Sequence, residues 1–575
     1  MLQSIMAAMD LQPTPGTAAS RPVRSEGRVL AALHALLDVL ANPQLRRLQL
    51  AWSGCITAEW AQAVALGVYA FREQGVIGVG VVGLIRTLPA AVVGPFAAGL
   101  ADRFRRERVL TAVLVVRAGA LAAVATALWL GLPAAVAYAL AAVDATVYTL
   151  FWPAQSSLLP ELARSPEELT ASNVASTTVE NLGTLVGPII GGVGLSMAGV
   201  APVFATSAAM LGASAVVASG IHTTVVSVRS AGAGSSPVAE LLAGFRTLAQ
   251  QPRPRLVVAL YLTQTFGVGA MTVLVVVTAI ELLGIGEAGV GYLNAAVGAG
   301  GLIGALATLA LVGRRRLAVG FQLGLITWGV ALALIGVWPR AATAVLLLAA
   351  VGSANALIDV TALTLLQRIV AERVLARVLG VFEGLWWGMQ GLGAVAASLL
   401  ISAAGARAAL LATGALLPAT GLLAGKALAA LDADASPPQP QLTLLRGVPL
   451  FAPLPVLTLE RLAFALQPVS VAAGEVIVRR GDEGDHFYVI AEGQVEVTAT
   501  EHSTGPTTTE GLGDFFGEIA LLRGVPRTAT VTATTDVALL ALERGEFIAA
   551  VTGHAGSAMA ADAVVVDRLT PGSPS

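Results

Sequence analysis

GVIGVGVVGLIRTLPAAVVGPFAAGLADRFRRER, residues 75–108, is a long apolar run that ends in four arginines. Its apolar part, 75–101, exceeds the about 20 residues that a helix needs to cross a hydrocarbon core. Similar runs follow one another along most of the chain. The spans expected are 48–71, 75–101, 108–130, 132–155, 171–196, 199–220, 256–283, 288–312, 317–337, 341–366, 376–402 and 405–430, twelve in all. Composition agrees. The 575 residues are 56% hydrophobic and 12% charged, against about 25% charged in soluble domains, and mean hydropathy is +0.78. Most of the surface is therefore expected to face lipid. A net charge of -2 suggests no nucleic-acid partner. The single cysteine, Cys55, excludes an intramolecular disulfide and a cysteine-based metal site. Lys426 is the only lysine, and with the Ala and Gly excess this points to a bacterial genome rich in GC.

Loop charge sets the expected orientation. Fifteen arginines fall in one set of alternating connections, and three, Arg72, Arg340 and Arg407, in the other. The arginine-rich side is expected to be cytoplasmic, with both termini. The longest break separates spans six and seven, as two related six-helix halves require. Gly78–Arg106 and Gly289–Arg316 look alike, and Glu180 and Glu383 fall at similar depths in spans five and eleven. Ordinary similarity among Ala/Gly/Leu-rich helices is the alternative to a true repeat.

After Leu431 the character changes. A proline-rich stretch leads into alternating β-type segments with glycine turns, such as Glu475–Arg480, Phe487–Ile490 and Gln494–Thr498. The expected organisation is a cytoplasmic tail and amphipathic helix over 1–44, six-helix halves over 45–220 and 255–431, a central loop over 221–254, a linker over 432–441, a mostly β domain over 442–569 and a tail over 570–575.

Gly99–Leu–Ala–Asp–Arg–Phe–Arg–Arg–Glu–Arg108 resembles the signature between spans two and three of the major facilitator superfamily. Ala98 and Arg105 depart from it, each standing where that family has glycine. The resemblance implies that Asp102 contacts a helix end in the other half and that Arg103 and Arg106 help lock a gate; the alternative is that the arginines set topology alone. Gly183–Thr–Leu–Val–Gly–Pro–Ile–Ile–Gly–Gly192 resembles the motif of the antiporter branch, which implies export, although tight helix packing alone also explains it.

Charged residues inside the spans are Glu59, Arg86, Arg117, Asp144, Glu180, Asp359 and Glu383. Each is costly in lipid unless paired or functional. A carboxyl that titrates as access alternates would couple transport to protons. Asp144, Glu59 and Glu180 are the candidates, with Arg86 and Arg117 as partners; a structural ion pair between helices is the alternative. Nothing in the sequence names the transported small molecule.

Phe516–Gly–Glu–Ile–Ala–Leu–Leu–Arg–Gly–Val–Pro–Arg–Thr–Ala–Thr–Val531 resembles the phosphate-binding cassette of cyclic-nucleotide-binding domains, and Gly474–Ile490 with Gly493 resembles their β-roll. The implied ligand is cAMP or cGMP, with no metal or prosthetic group. Phe516, Gly517, Glu518, Ile519, Ala520, Arg527, Thr528 and Ala529 form the expected site. Gly517 permits close backbone approach, a short helix from Glu518 offers free N–H groups, and Arg527 suits the exocyclic phosphate oxygens. Glu518 suits the ribose 2′-hydroxyl, and Ala529 keeps the wall small. Thr528 can reach phosphate or base. A β-roll that has lost its ligand is the alternative. Helix 555–569 is expected to cap the base.

The fold expected is thus an all-α polytopic membrane protein with a C-terminal β-roll and flanking helices. The function expected is proton-coupled export at a bacterial cytoplasmic membrane under cyclic-nucleotide control. A non-transporting receptor and a nucleotide-gated channel are the alternatives. No filter sequence and no regular arginine series support the channel. No nucleophile elbow, Walker loop or metal-ligand spacing suggests an enzyme.

Overall fold

In the computed structural model, described residues are 39, 41–101, 105–164, 166–222, 244–246, 248–309, 317–370, 372–434, 439–498 and 507–569. The chain divides into two compact units, Met1–Asp432 and Ala433–Ser575.

The first unit is helical. Its elements are α1 (Pro43–Ala101), α2 (Arg106–Trp129), α3 (Ala134–Tyr148), α4 (Phe151–Leu162), α5 (Pro166–Ala198), α6 (Val200–Ser219), α7 (Pro252–Val277, continued by a π turn over Thr278–Leu282), α8 (Gly286–Leu309), α9 (Leu317–Val337), α10 (Ala341–Ile369) and α11 (Glu372–Leu423). A further helix, α12 (Gly425–Asp434), follows. Among the described residues ten helices are long and apolar enough to cross a membrane, where the sequence suggested twelve. Two of the ten account for the difference. The stretches Pro43–Gly94 and Gly380–Leu423 are 52 and 44 residues long. At 1.5 Å per residue, each is more than twice the roughly 30 Å that one crossing needs. Each is broken at a glycine outside the helical region, Gly75 (φ 62°, ψ -151°) and Gly405 (φ 84°, ψ 167°). A side chain is strained there, so glycine is what lets the chain turn without a loop. Gly131, Gly199, Gly284 and Gly286 also have positive φ, so most of the arginine-poor connections turn on glycine.

Trp52, Trp328, Phe321 and Leu48 are fully buried between helices, whereas Leu346 and Leu423 are exposed. Exposed leucines on such helices suit hydrocarbon, where they cost nothing. Close approach depends on missing side chains. A Cβ on Gly291 would lie 2.3 Å from the Pro188 carbonyl, and one on Gly192 would lie 2.9 Å from the Gly291 Cα. Helices α5 and α8, from the two halves, thus meet backbone to backbone. The second limb of α1 also lies close to α11: a Cβ on Gly83 would lie 2.6 Å from that of Ala394, and Ser398 Oγ donates to the Val76 carbonyl at 3.0 Å. Arg72 and Glu287 form a bidentate ion pair beside these contacts, linking the residues just before the break of α1 to the start of α8.

The second unit begins with α13 (Gln439–Gly447) and α14 (Val456–Ala465). Eight strands follow: β1 (Gln467–Val471), β2 (Val476–Val478), β3 (His486–Glu492), β4 (Val495–Thr498), β5 (Thr507–Glu510), β6 (Phe515–Phe516), β7 (Thr530–Ala533) and β8 (Val537–Glu543). Between and after them lie α15 (Glu518–Arg523), α16 (Arg544–Thr552) and α17 (Ala555–Leu569). Two antiparallel sheets form, in the orders β1-β8-β3-β6 and β2-β7-β4-β5. Ile490, Phe516, Val531 and Leu539 fill the space between them. Phe487, Val489 and Leu542 point the other way, into a core shared with Phe451, Leu462 and Phe547 of the flanking segments. Strands β3 and β8 read as continuous apolar runs because both of their faces are covered.

Candidate functional site

Between β6 and β7 the chain reads Gly517 to Ala529, and this loop with α15 holds the buried Arg527. Gly517 caps α15 at φ 95°. A Cβ there would sit 2.6 Å from Arg527 Nη1 and 3.0 Å from the His486 carbonyl, so only glycine fits. The first N–H groups of α15 have no partner within the helix. Arg527 is 5% exposed. Its Nη1 donates to the Gly517 carbonyl at 3.1 Å, and its Nη2 to the His486 carbonyl at 2.8 Å. Asp485, largely exposed, approaches Nη2 only at 3.4 Å. Burial works against the Asp485 carboxylate, yet His486 and Arg527 hold it below its ordinary value. The backbone also pins the arginine: its N–H donates to the Asp482 carbonyl at 2.8 Å, and its own carbonyl accepts from Gly481 at 2.9 Å. Phe516 and Ala520 are buried beneath the loop, Ile519 and Ala529 are half-buried and Thr528 is exposed.

Glu518 is 1% exposed. Burial raises its pKa, and the Arg568 guanidinium opposes that rise. Arg568 comes from the last turn of α17. It donates to Glu518 Oε1 at 3.0 Å, to Glu510 Oε1 at 3.1 Å and to the Phe515 carbonyl at 2.9 Å, and its guanidinium lies 4.6 Å from the Phe515 ring centre. Arg568 and Glu510 escape a sequence reading, because nothing in 555–569 says which turn meets the pocket.

In the helical unit, four of the expected charges converge. Arg117 of α2 is fully buried. It donates to both oxygens of Asp144 of α3, at 2.8 and 3.2 Å, and to Cys55 Sγ at 3.1 Å. It also reaches Glu59 of α1, which Arg86 pairs from the second limb of the same helix. Gln62 bridges the two carboxylates at 2.9 and 2.7 Å, and the Tyr148 ring centre lies 4.3 Å from the guanidinium. Two cations and two anions therefore neutralise one another. Losing either partner would strand a buried charge.

The remaining carboxylates differ. Asp359 of α10, 5% exposed, accepts from the Tyr261 hydroxyl at 2.5 Å and from Asn355 Nδ2 at 2.9 Å. Asn355 in turn accepts from Gln264. Glu383 of α11 is exposed, one turn from Trp386, whose ring packs on Trp387 at 4.7 Å. Among the described residues no basic side chain pairs with Glu180, Asp359 or Glu383. Tyr261, Asn355 and Gln264 are signals the sequence held but charge counting passed over. Arg106 binds Glu161 of α4 at 2.5 Å, within its own half. Asp102 and Arg103 lie outside the described residues.

The profile of the Major Facilitator Superfamily matches residues 54–389, more than half of the chain. This chain belongs to the Major Facilitator Superfamily. A second profile, the Cyclic nucleotide-binding domain, matches residues 468–554 and contains the loop from Gly517 to Arg527. The facilitator chain is thus a multi-pass membrane protein that carries a cyclic-nucleotide-binding domain. Over that domain it is 44% identical to a cyclic nucleotide-gated potassium channel of Rhizobium etli, across 18% of this chain and 28% of the channel. It is 50% identical to the cAMP-dependent protein kinase regulatory subunit of Dictyostelium discoideum, across 15% of this chain and 28% of the subunit. The facilitator chain therefore spans little more than a quarter of these relatives' length. Among solved structures, the Thermus thermophilus Catabolite Activator Protein is 30% identical over 21% of this chain and 58% of that one, with a TM-score of 0.20.

Proposed function

We propose that this protein is a secondary active transporter that exports a small molecule by proton antiport, and that cyclic nucleotide bound at its C-terminal domain regulates it. Counting each glycine-broken helix as two spans makes twelve, with both chain ends on the arginine-rich side. That side is the cytoplasm by the positive-inside rule, and a bacterial cytoplasmic membrane is the proposed location.

The contrast between the two sets of intramembrane carboxylates carries the transport reading. Glu59 and Asp144 are compensated by arginines and hold helices together. Asp359 has only neutral donors, and among the described residues Glu180 has no basic partner. A carboxyl with neutral donors can gain and lose a proton without stranding a cation, as a coupling site must. Glu180 and Asp359 are thus favoured over Glu59 and Asp144. The test is flux in proteoliposomes under an imposed pH gradient. Asp359→Asn is expected to abolish coupling. Unchanged proton-coupled flux in Asp359→Asn, Glu180→Gln and Glu383→Gln alike would defeat the proposal.

Arg527 supports the nucleotide reading. A guanidinium 5% exposed that faces two carbonyls and one distant carboxylate suits a bidentate phosphate. The kinase regulatory subunit that resembles this domain is cAMP-dependent by name, so cAMP is the first nucleotide to try, with cGMP beside it. Calorimetry on the purified full chain decides: heat with neither nucleotide ends this reading.

A further inference from the structure

The two halves of the helical unit meet along two seams, α5 against α8 and the second limb of α1 against α11. Along the α1–α11 seam the spacing changes with depth. Near its arginine-poor end a Cβ on Gly83 would lie 2.6 Å from that of Ala394, and Ser398 Oγ bonds to the Val76 carbonyl. Toward the arginine-rich end, a Cβ on Gly94 would lie 3.8 Å from Trp387 Cδ1, and one on Gly388 would lie 3.9 Å from the Ala91 Cβ. The seam is thus tightest at its arginine-poor end. The α5–α8 seam is tight there too, where a Cβ on Gly192 would lie 2.9 Å from the Gly291 Cα.

Arg72 and Glu287 stand at that same end. Arg72 precedes Val76 of one seam, and Glu287, in the first turn of α8, precedes Gly291 of the other. Their ion pair therefore ties the end of one seam to the end of the other, and it crosses between the halves. The pairs Arg86–Glu59, Arg117–Glu59, Arg117–Asp144 and Arg106–Glu161 all stay within the first half.

We infer that the Arg72–Glu287 pair is a latch between the two halves: it holds their arginine-poor end closed and breaks when that end opens. The inference rests on the transport reading above for the motion of the halves, and not on which ion is coupled.

The range of the forces supports it. Contacts at glycine are van der Waals contacts, lost within about an ångström of separation. Opposite charges still attract over several ångströms, so they resist the first parting and draw the end shut again. Exposure supports it as well. The side chains of Arg72 and Glu287 are 48% and 24% exposed, so water can take the place of either partner. Such a pair shifts a balance by only a few-fold, which a cycle can reverse. A buried pair such as Arg117–Asp144 is too costly to break at every turnover. The same exposure makes the latch sensitive to salt.

The experiment measures how readily that end opens. The reporter is a thiol at position 398, in the purified full chain carrying Cys55→Ser and Ser398→Cys, and the probe is a maleimide. Ser398 is 3% exposed, so the thiol reacts when the seam parts. In this parent chain, Arg72→Gln or Glu287→Gln should speed labelling about two- to fivefold. The two together should do no more than either alone, because they remove one shared interaction. Arg72→Glu should speed labelling further by setting like charges together, and adding Glu287→Arg should bring the rate back toward the parent. That rescue also shows that the variants fold. Raising salt from about 0.05 to 1 M should speed the parent by a similar two- to fivefold and leave Arg72→Gln unchanged. A parent-like rate in both neutral variants, additive effects in their combination, no rescue by the exchanged charges, or an equal salt response with and without Arg72 overturns the inference. Labelling needs neither cargo nor a pH gradient, so failure of proton-coupled export in the flux assay is read separately from failure of the latch.

Discussion

Single residues decide the pocket and the buried charges. Arg527→Ala should lower nucleotide affinity by about tenfold or more, because the phosphate loses a bidentate cation; calorimetry with cAMP reads this directly. Gly517→Ala should do similar harm for a different reason, since its Cβ would meet Arg527 Nη1 at 2.6 Å. Arg117→Ala should destabilise the helical unit by about 3–5 kcal/mol, leaving Glu59 and Asp144 buried without their shared cation. Thermal unfolding in detergent measures that, and Cys55, now buried against Arg117, should become reactive to a thiol probe. Glu510 gives a pH effect. Burial, opposed by Arg568 and aided by Glu518 and Asp514, moves its pKa from 4.5 up to about 7. The folded state binds this proton more tightly than the unfolded chain. Its contribution is therefore fully present below about pH 4.5 and is lost as pH rises through about 7. Glu510→Gln should flatten the stability of the C-terminal unit across that window in a pH series of melting curves. The types of these residues were legible in sequence. Arg86 and Arg117 were expected as partners of these carboxyls, but which carboxyl each one meets was not legible, because Glu59, Arg117 and Asp144 come from three helices and meet only after packing.

At the scale of elements, glycine does two kinds of work. Gly75 and Gly405 turn a helix back, and Gly192 and Gly291 let two helices touch. Gly291→Leu should force α5 and α8 apart, costing about 1–3 kcal/mol as overpacking does, and a melting curve of the purified variant checks it. The apolar runs of these helices were plain from hydropathy. Their breaks were not counted alike, since Gly75 and Gly405 interrupt a helix over one residue where other connections use several. The strands of the C-terminal unit were legible as β segments and glycine turns. The register shift between Ile490 and Glu492 was not, for it depends on how β3 pairs with β8.

Across the whole molecule, the chain joins a membrane unit of the facilitator superfamily to a nucleotide-binding unit. Sequence by itself determined the class of each: long apolar runs leave lipid as the only solvent for one, and the cassette around Gly517 and Arg527 is contiguous, so its chemistry is written in order. What only the tertiary structure decided is which charges are spent and which remain available. Seven charged residues in apolar helices look equivalent in a list. Folding pairs Glu59, Arg86, Arg117 and Asp144 into one neutral cluster and leaves Glu180, Asp359 and Glu383 without a cation among the described residues. It also carries Arg568 back over fifty positions to Glu518. The reason is physical: Coulomb energy depends on distance in space and on local burial, and neither is a function of position along the chain.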